Sequence, residues 1–127
     1  DTAIEFTRWL SRTTKQKYRL PTRSEWVYAA NAANRTHDPN RNCTFSTHGI
    51  EKGGQLVRVN VGTQNSWGLV NYLGNSQEWV YDKSRNVVAV GGSYEDAMAS
   101  CNVDSVTSHS GNPDIKTGFR VVREIAQ

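Results

Sequence analysis

The chain has 127 residues, one domain's worth of material, which excludes a two-domain reading. Hydrophobic residues make up 36% of it; counted with glycine in place of tyrosine they reach about 40%, under the ~45–50% usual for soluble domains, so a modest core and many loops are expected. A net charge of +3 and a pI near 9.0 are small, scattered excesses, and the chain contains neither an apolar run of about 18 residues nor a signal-peptide pattern, so no membrane span is expected.

In chain order, Thr2 and Glu5 and then Thr22 and Glu25 have capping-box spacing, each predicting a helix start. The first helix is expected to run to about Arg12, with Ile4, Phe6, Trp9 and Leu10 on one broad apolar face. The basic cluster Arg12, Lys15, Lys17, Arg19 and Arg23 is broken by Thr, Tyr and Pro. It reads as a solvated helix end and turn, not a nucleic-acid footprint, and no nucleic-acid partner is expected. Residues 18–21 read as extended before Pro21. Trp26, Ala29, Ala30 and Ala33 form the narrow stripe of the second helix. Residues 34–54 are polar and loop-like, strands are predicted at 56–59, 87–90 and 119–122, and residues 95–117 read as irregular. Trp9, Trp26, Trp67 and Trp79 are expected in the core, and each histidine is expected to be solvated.

Four phrases occur in order: Tyr-Arg-Leu-Pro-Thr-Arg-Ser-Glu-Trp (18–26), Asn-Ser-Trp-Gly-Leu-Val-Asn-Tyr-Leu-Gly-Asn-Ser-Gln-Glu-Trp (65–79), Val-Gly-Gly-Ser-Tyr (90–94) and Gly-Phe-Arg-Val-Val-Arg (118–123). Together they resemble the formylglycine-generating enzyme family, also called sulfatase-modifying factor domains, over essentially the whole chain. The resemblance implies an α+β, loop-rich variant of the C-type-lectin-like fold, with two early helices and a small late antiparallel sheet. Family members carry a further strand and helix before the segment matching Asp1, so residues 1–127 are expected to be either a minimal version or the C-terminal part of a longer domain or protein.

The family's oxidase converts a sulfatase cysteine to formylglycine with copper(I) held by two cysteines. The resemblance places the second of these at Cys101 and the first at Asp96, and it puts Gln77 where a pocket Trp would stand. A hard carboxylate does not replace a thiolate toward copper(I). The pocket of Gln77, Ser93, Tyr94, Asp96 and Cys101 therefore reads as degenerate, no catalytic residue is assigned, and copper is not expected. Ser93, His109 and Asp96 could form a Ser-His-Asp set, but no nucleophile-elbow phrase supports one. Cys43 and Cys101 have two readings: a disulfide tying the two irregular stretches together, or convergence on a metal with His37, His48 or His109. The disulfide is preferred because no Cys-x-x-Cys or His-x-x-x-His spacing exists, and it implies an extracytoplasmic, oxidising compartment.

By the same resemblance, residues 71–78 match a calcium-binding turn, in which Asn71 and Glu78 offer side-chain oxygens and Gly74 and Ser76 offer carbonyls. The alternative is a plain Gly-Asn turn with Glu78 paired to Arg120. The resulting expectation is a non-catalytic module, stabilised by calcium, that binds a protein or small-molecule ligand through Gln77, Ser93, Tyr94, Asp96 and His109. An enzyme of unaltered or altered chemistry and a diversified ligand-binding protein are the rival readings.

Overall fold

A computed structural model describes residues 2–32, 42–47, 50–52, 56–58, 64–109, 112 and 114–125. Helix α1 (Thr2–Thr14) leads into strand β1 (Lys17–Arg19), and helix α2 (Arg23–Asn31) follows. After them come β2 (Phe45–Thr47), β3 (Ile50–Lys52), β4 (Gln77–Tyr81), β5 (Val87–Val90), a 3-10 turn (Met98–Ser100), β6 (Val106–Ser108), β7 (Thr117–Gly118) and β8 (Val122–Glu124). The central sheet has the order β6-β5-β4-β7, and β1 with β8 and β2 with β3 form separate two-stranded sheets. The β4–β7 pair is parallel, so the central sheet is mixed where an antiparallel one was expected.

The capping box of α2 forms as read. Thr22 Oγ1 accepts from the Glu25 N–H, while Glu25 Oε1 accepts from the Thr22 N–H at 2.8 Å. Ala32 closes the helix in the left-handed region. Helix α1 already includes Thr2, so Thr2 is not its cap, and it extends two residues past Arg12. Its end is stitched to β1 by Ser11, whose hydroxyl accepts the Tyr18 N–H at 2.9 Å. Arg19 then joins β1, β8 and α2, donating to Glu124 at 2.8 Å and to both oxygens of Glu25 at 2.7 and 2.8 Å.

Strand β4 is buried on both faces, and its alternation divides the molecule. Val80 belongs to a cluster with Trp26, Ala30, Tyr72, Leu73 and Val90 under α2. Trp79 belongs to a second cluster with Ala3 and Leu20 under α1. A strand covered on both sides loses the polar alternation that marks a half-exposed one, and β4 carries Gln77 and Glu78 besides; neither pattern signals a strand.

Three predicted strands fare differently. Residues 87–90 form β5 as expected. Residues 56–58 form no strand, and residue 59 lies outside the described residues; the side chain of Asn75 stands where a partner strand would pair, accepting from Val57 N–H at 2.9 Å and donating to its carbonyl at 3.3 Å. Residues 119–121 lie between β7 and β8, because the chain leaves β4 at Gly118 and rejoins a different sheet at Val122. Trp26 and Trp79 are buried, but Trp9 and Trp67 are 52% and 49% exposed, each packed edgewise or tilted on one other ring. Amphipathic spacing gives the apolar face of α1 but not whether anything covers it. Ala33, His37 and His48 lie outside the described residues.

Cys43 and Cys101 are joined by a disulfide across 58 residues. By loop-closure entropy, the double variant Cys43→Ala/Cys101→Ala is expected to lose about 4 kcal/mol in a urea titration. An unchanged midpoint, or an intact mass that does not rise by two hydrogens on reduction, would contradict the bond.

Candidate functional site

The Gly-Gly-Ser turn after β5 is stabilised by Asp96. Asp96 Oδ2 accepts from the Ser93 N–H at 2.7 Å and from Ser93 Oγ at 3.1 Å, and the Asp96 N–H returns to the Ser93 carbonyl at 3.0 Å. Ser93 Oγ also accepts the Glu95 N–H at 3.3 Å. Ser93 is fully buried, so its hydroxyl is consumed in a closed turn. Cys101 lies against this turn, its Sγ 3.7 Å from the Ser93 carbonyl. With both sulfurs in the disulfide neither is a thiolate, and Asp96 is held by Ser93; these residues do not fit copper(I).

His109 is held by Asp114 and Trp79. Its ring is 8% exposed, with Nε2 2.9 Å from Asp114 Oδ2, and packs edge-on against Trp79. This corrects the expectation of a solvated imidazole. Gln77, on the same face of β4 as Trp79, donates to Thr117 Oγ1 at 2.8 Å, and Thr117 donates to Asp114 Oδ1 at 2.7 Å. The Asp114 carboxyl is held below its ordinary range, first by Thr117 and then, against some desolvation, by His109. Tyr94 is buried beside this network, its N–H donating to the Asn75 carbonyl at 2.8 Å and its own carbonyl accepting Thr44 Oγ1 at 3.0 Å. Burial first, and the charges of Glu95 and Asp114 after it, push the Tyr94 phenol up. Four of the five residues expected to form a contact face thus divide into a Ser93–Asp96 turn and a Gln77–Thr117–Asp114–His109 brace, and the fifth, Tyr94, is buried. The exposed rim belongs to Glu95, Ile115 and Lys116, with Ile115 76% exposed and Lys116 Nζ 3.9 Å from Glu95.

Glu78 points to the α2 face. Its Oε1 accepts from Arg120 Nε at 2.8 Å and from Trp26 Nε1 at 3.2 Å, and Arg120 Nη2 also donates to the Val70 carbonyl. The Glu78–Arg120 pair of the plain-turn alternative is therefore present. Even so, burial raises the carboxyl above its ordinary range, with Arg120 and Trp26 opposing. Asn71, Ser76, Glu78 and Arg120 line one cleft of about 390 Å³. Asn71, Gly74 and Asn75 all have left-handed backbone, with φ of 54°, 76° and 63°, which curls the chain around the cleft.

Several oxygens of this curl accept no described hydrogen bond. Among the described residues no turn or loop N–H donates to the Gly74 or Ser76 carbonyl, and both described hydrogen bonds to Glu78 end on Oε1 rather than Oε2. The charge of Arg120 opposes a cation, yet it is already matched to Oε1. Glu78 is the carboxylate of this cleft, and among the described residues no group of three or more His, Cys, Asp or Glu side chains could hold a metal ion.

Sequence reasoning missed Asn75. It is buried, accepts from Asn42 Nδ2 at 2.9 Å and from Val57, and its backbone N–H donates to the Asn42 carbonyl at 2.8 Å. The only available signal was its place after Gly74.

This is an α+β, loop-rich domain with a buried carboxylate cleft beside a disulfide-anchored turn. A family model described as the FGE-sulfatase, sulfatase-modifying factor enzyme 1-like domain matches residues 1–125, and the chain belongs to that family. Among solved structures it is similar to PvdO from Pseudomonas aeruginosa, at TM-score 0.70 and 17% identity over 97% of this chain and 59% of that one. It is similar also to CarF, at TM-score 0.63 and 28% identity over 86% of this chain and 48% of that one. The chain spans about half to three-fifths of the length of these structures. No curated protein gives a significant sequence match.

Arg120→Ala would leave Glu78 buried without its cation, an expected cost of about 3 kcal/mol at neutral pH. Because the Glu78 pKa is raised on folding, the native state holds its proton more tightly than the unfolded chain. Stability therefore falls as pH rises from the ordinary carboxylate range through the raised pKa of the folded state, and in Arg120→Ala, where the opposing cation is gone, the fall should extend to higher pH. Denaturant titrations across pH test this; parallel pH profiles would contradict it.

Proposed function

We propose that the chain is a non-catalytic binding module of the FGE-sulfatase family, held together by calcium and by its disulfide, that takes a protein or small-molecule ligand on the rim of Glu95, Ile115 and Lys116. The observation that carries this reading is the bond between Cys43 and Cys101. The sulfur that resemblance assigns to copper is spent on the fold, and Ser93 and Asp96 are spent on each other. Beneath the rim, the brace runs from the buried Gln77 through Thr117 and the exposed Asp114 to His109, and its hydrogen bonds support the loop. The exposed Ile115 between charged neighbours has the form of an anchor with a polar border. The disulfide also supports placement in an oxidising, extracytoplasmic compartment. Among the described residues no helix is long and apolar enough to cross a membrane.

Asn71, Gly74, Ser76 and Glu78 would hold the calcium ion. Its contribution there is structural: it would offset the burial of the Glu78 carboxylate and fix the curl of residues 71–76.

Two measurements test the proposal. Incubation with copper, oxygen and a peptide containing Cys-X-Pro-X-Arg is expected to give no aldehyde, with or without prior reduction of the disulfide; turnover would overturn the non-catalytic reading. Saturating calcium is expected to raise the Tm by several degrees over chelator, since a ligand at about 100 Kd stabilises by about 2.7 kcal/mol. Glu78→Gln should abolish the rise, and an equal Tm in calcium and chelator would sink the calcium site.

A further inference from the structure

A second cleft, of about 500 Å³, opens between the start of α2 and the turn joining β4 to β5, and its walls carry Arg23, Lys83 and Arg85 with the hydroxyls of Ser24 and Ser84. It contains none of the residues discussed above as copper, calcium or rim positions.

Backbone contacts fix its two sides against each other. Thr22 bridges Tyr81 in parallel, and the Tyr81 N–H donates to the Pro21 carbonyl at 3.0 Å. On the other side Asp82 closes the turn: its Oδ1 accepts from the N–H groups of Ser84 and Asn86 at 2.8 and 2.9 Å, and its own N–H donates to the Asn86 carbonyl at 2.9 Å. Arg85 lies over the Tyr81 ring with its guanidinium 5.4 Å from the centroid. The backbone carrying the cations is thus hydrogen-bonded on both sides of the cleft.

Their charge is unmatched. Arg19 and Arg120 are each ion-paired, whereas none of Arg23, Lys83 and Arg85 makes an ion pair among the described residues. Arg23 Nε is buried without a hydrogen-bond partner among the described residues, an expensive state for an N–H donor. The carboxylate in the lining, Asp82, already accepts two N–H groups, and Glu25 nearby is tied to Arg19 and Thr22. Three cationic residues and one carboxylate therefore line the cavity, an excess of positive charge.

We propose that this cleft binds a tetrahedral oxyanion, a phosphate or sulfate group, carried on a small organic molecule. Two guanidinium forks and a lysine are matched to several oxygens on one centre, and the serine hydroxyls supply further donors. The first N–H groups of α2 add to the field but do not define the site. The volume exceeds that of a bare oxyanion and falls within the range of about 300–1,000 Å³ of small-molecule sites, leaving room for the organic part.

The full chain, labelled with nitrogen-15, would be titrated with inorganic phosphate, inorganic sulfate and glycerol 3-phosphate, each against chloride at matched ionic strength. Saturable shifts are expected at the amides of Arg23, Ser24 and residues 83–86, tighter for the ester than for inorganic phosphate. Saturation by either oxyanion supports the site, and the tighter one names the group. Arg23→Gln, and separately the double variant Lys83→Gln/Arg85→Gln, are each expected to weaken binding about tenfold, equivalent to 1.4 kcal/mol, at unchanged Tm. Should Arg23→Gln disturb α2, the double variant keeps the test, since Lys83 and Arg85 are exposed. Arg12→Gln, which removes a cation outside the cleft, should leave affinity unchanged. Shifts that never saturate, that chloride reproduces, or that Arg12→Gln weakens equally would overturn the proposal.

Discussion

The Cys43–Cys101 bond leaves no room for a side chain at either turn it touches. A Cβ on Gly74 would meet Cys43 Sγ at 2.5 Å, and one on Gly92 would meet Cys101 Sγ at 2.8 Å. Both glycines have positive φ, at 76° and 74°, so close approach and backbone conformation demand the same residue. Around the bond, backbone hydrogen bonds link three distant segments: Gly74 to Gly91, Asn75 to Asn42, Tyr94 to Asn75, and Thr44 to Asp96. The curl of residues 71–76 and the Gly-Gly-Ser turn are two sides of one crosslinked unit. In a chain with a modest core, this unit gives long loops definite positions without extensive apolar burial.

Strand β4 carries the other half of the organisation. Its period of two sends Glu78 and Val80 toward α2 and Gln77 and Trp79 toward α1, so two adjacent polar residues enter different polar systems. Glu78 meets Arg120 and Trp26, while Gln77 meets Thr117 and, through it, Asp114. Polar groups this deep persist because each is hydrogen-bonded. Catalytic and structural uses of the same residue types then differ in how many of their hydrogen bonds are already taken. Ser93 and Asp96 hydrogen-bond each other and the two cysteines are bonded to each other, so these four side chains are engaged in holding the fold.

What the sequence showed and what it hid follow from the range of the interactions. The capping box of α2 was legible because Thr22 and Glu25 satisfy each other within four residues. The disulfide was legible because the chain has two cysteines and no metal-type spacing. Strand β4 was hidden because its polar residues are paid for by partners about forty or more positions away in the chain. Strand β6 was hidden because all three of its residues are exposed, and residues 56–58 because a side chain, Asn75, stands in for a neighbouring strand. His109 looked like a loop residue and is packed against Trp79; Trp9 looked like core and is exposed. The unmatched cations of Arg23, Lys83 and Arg85 lie in two separate stretches of chain and become a cluster when Thr22 pairs with Tyr81.

Amide hydrogen exchange before and after reduction of the disulfide tests most directly whether the bond organises both loops as one unit. The amides of Thr44, Gly74, Asn75, Tyr94 and Asp96 are expected to lose protection together on reduction, while those of Val80 and Val88 in the central sheet keep theirs. Unchanged protection of the five, or loss confined to one of the loops, would contradict it.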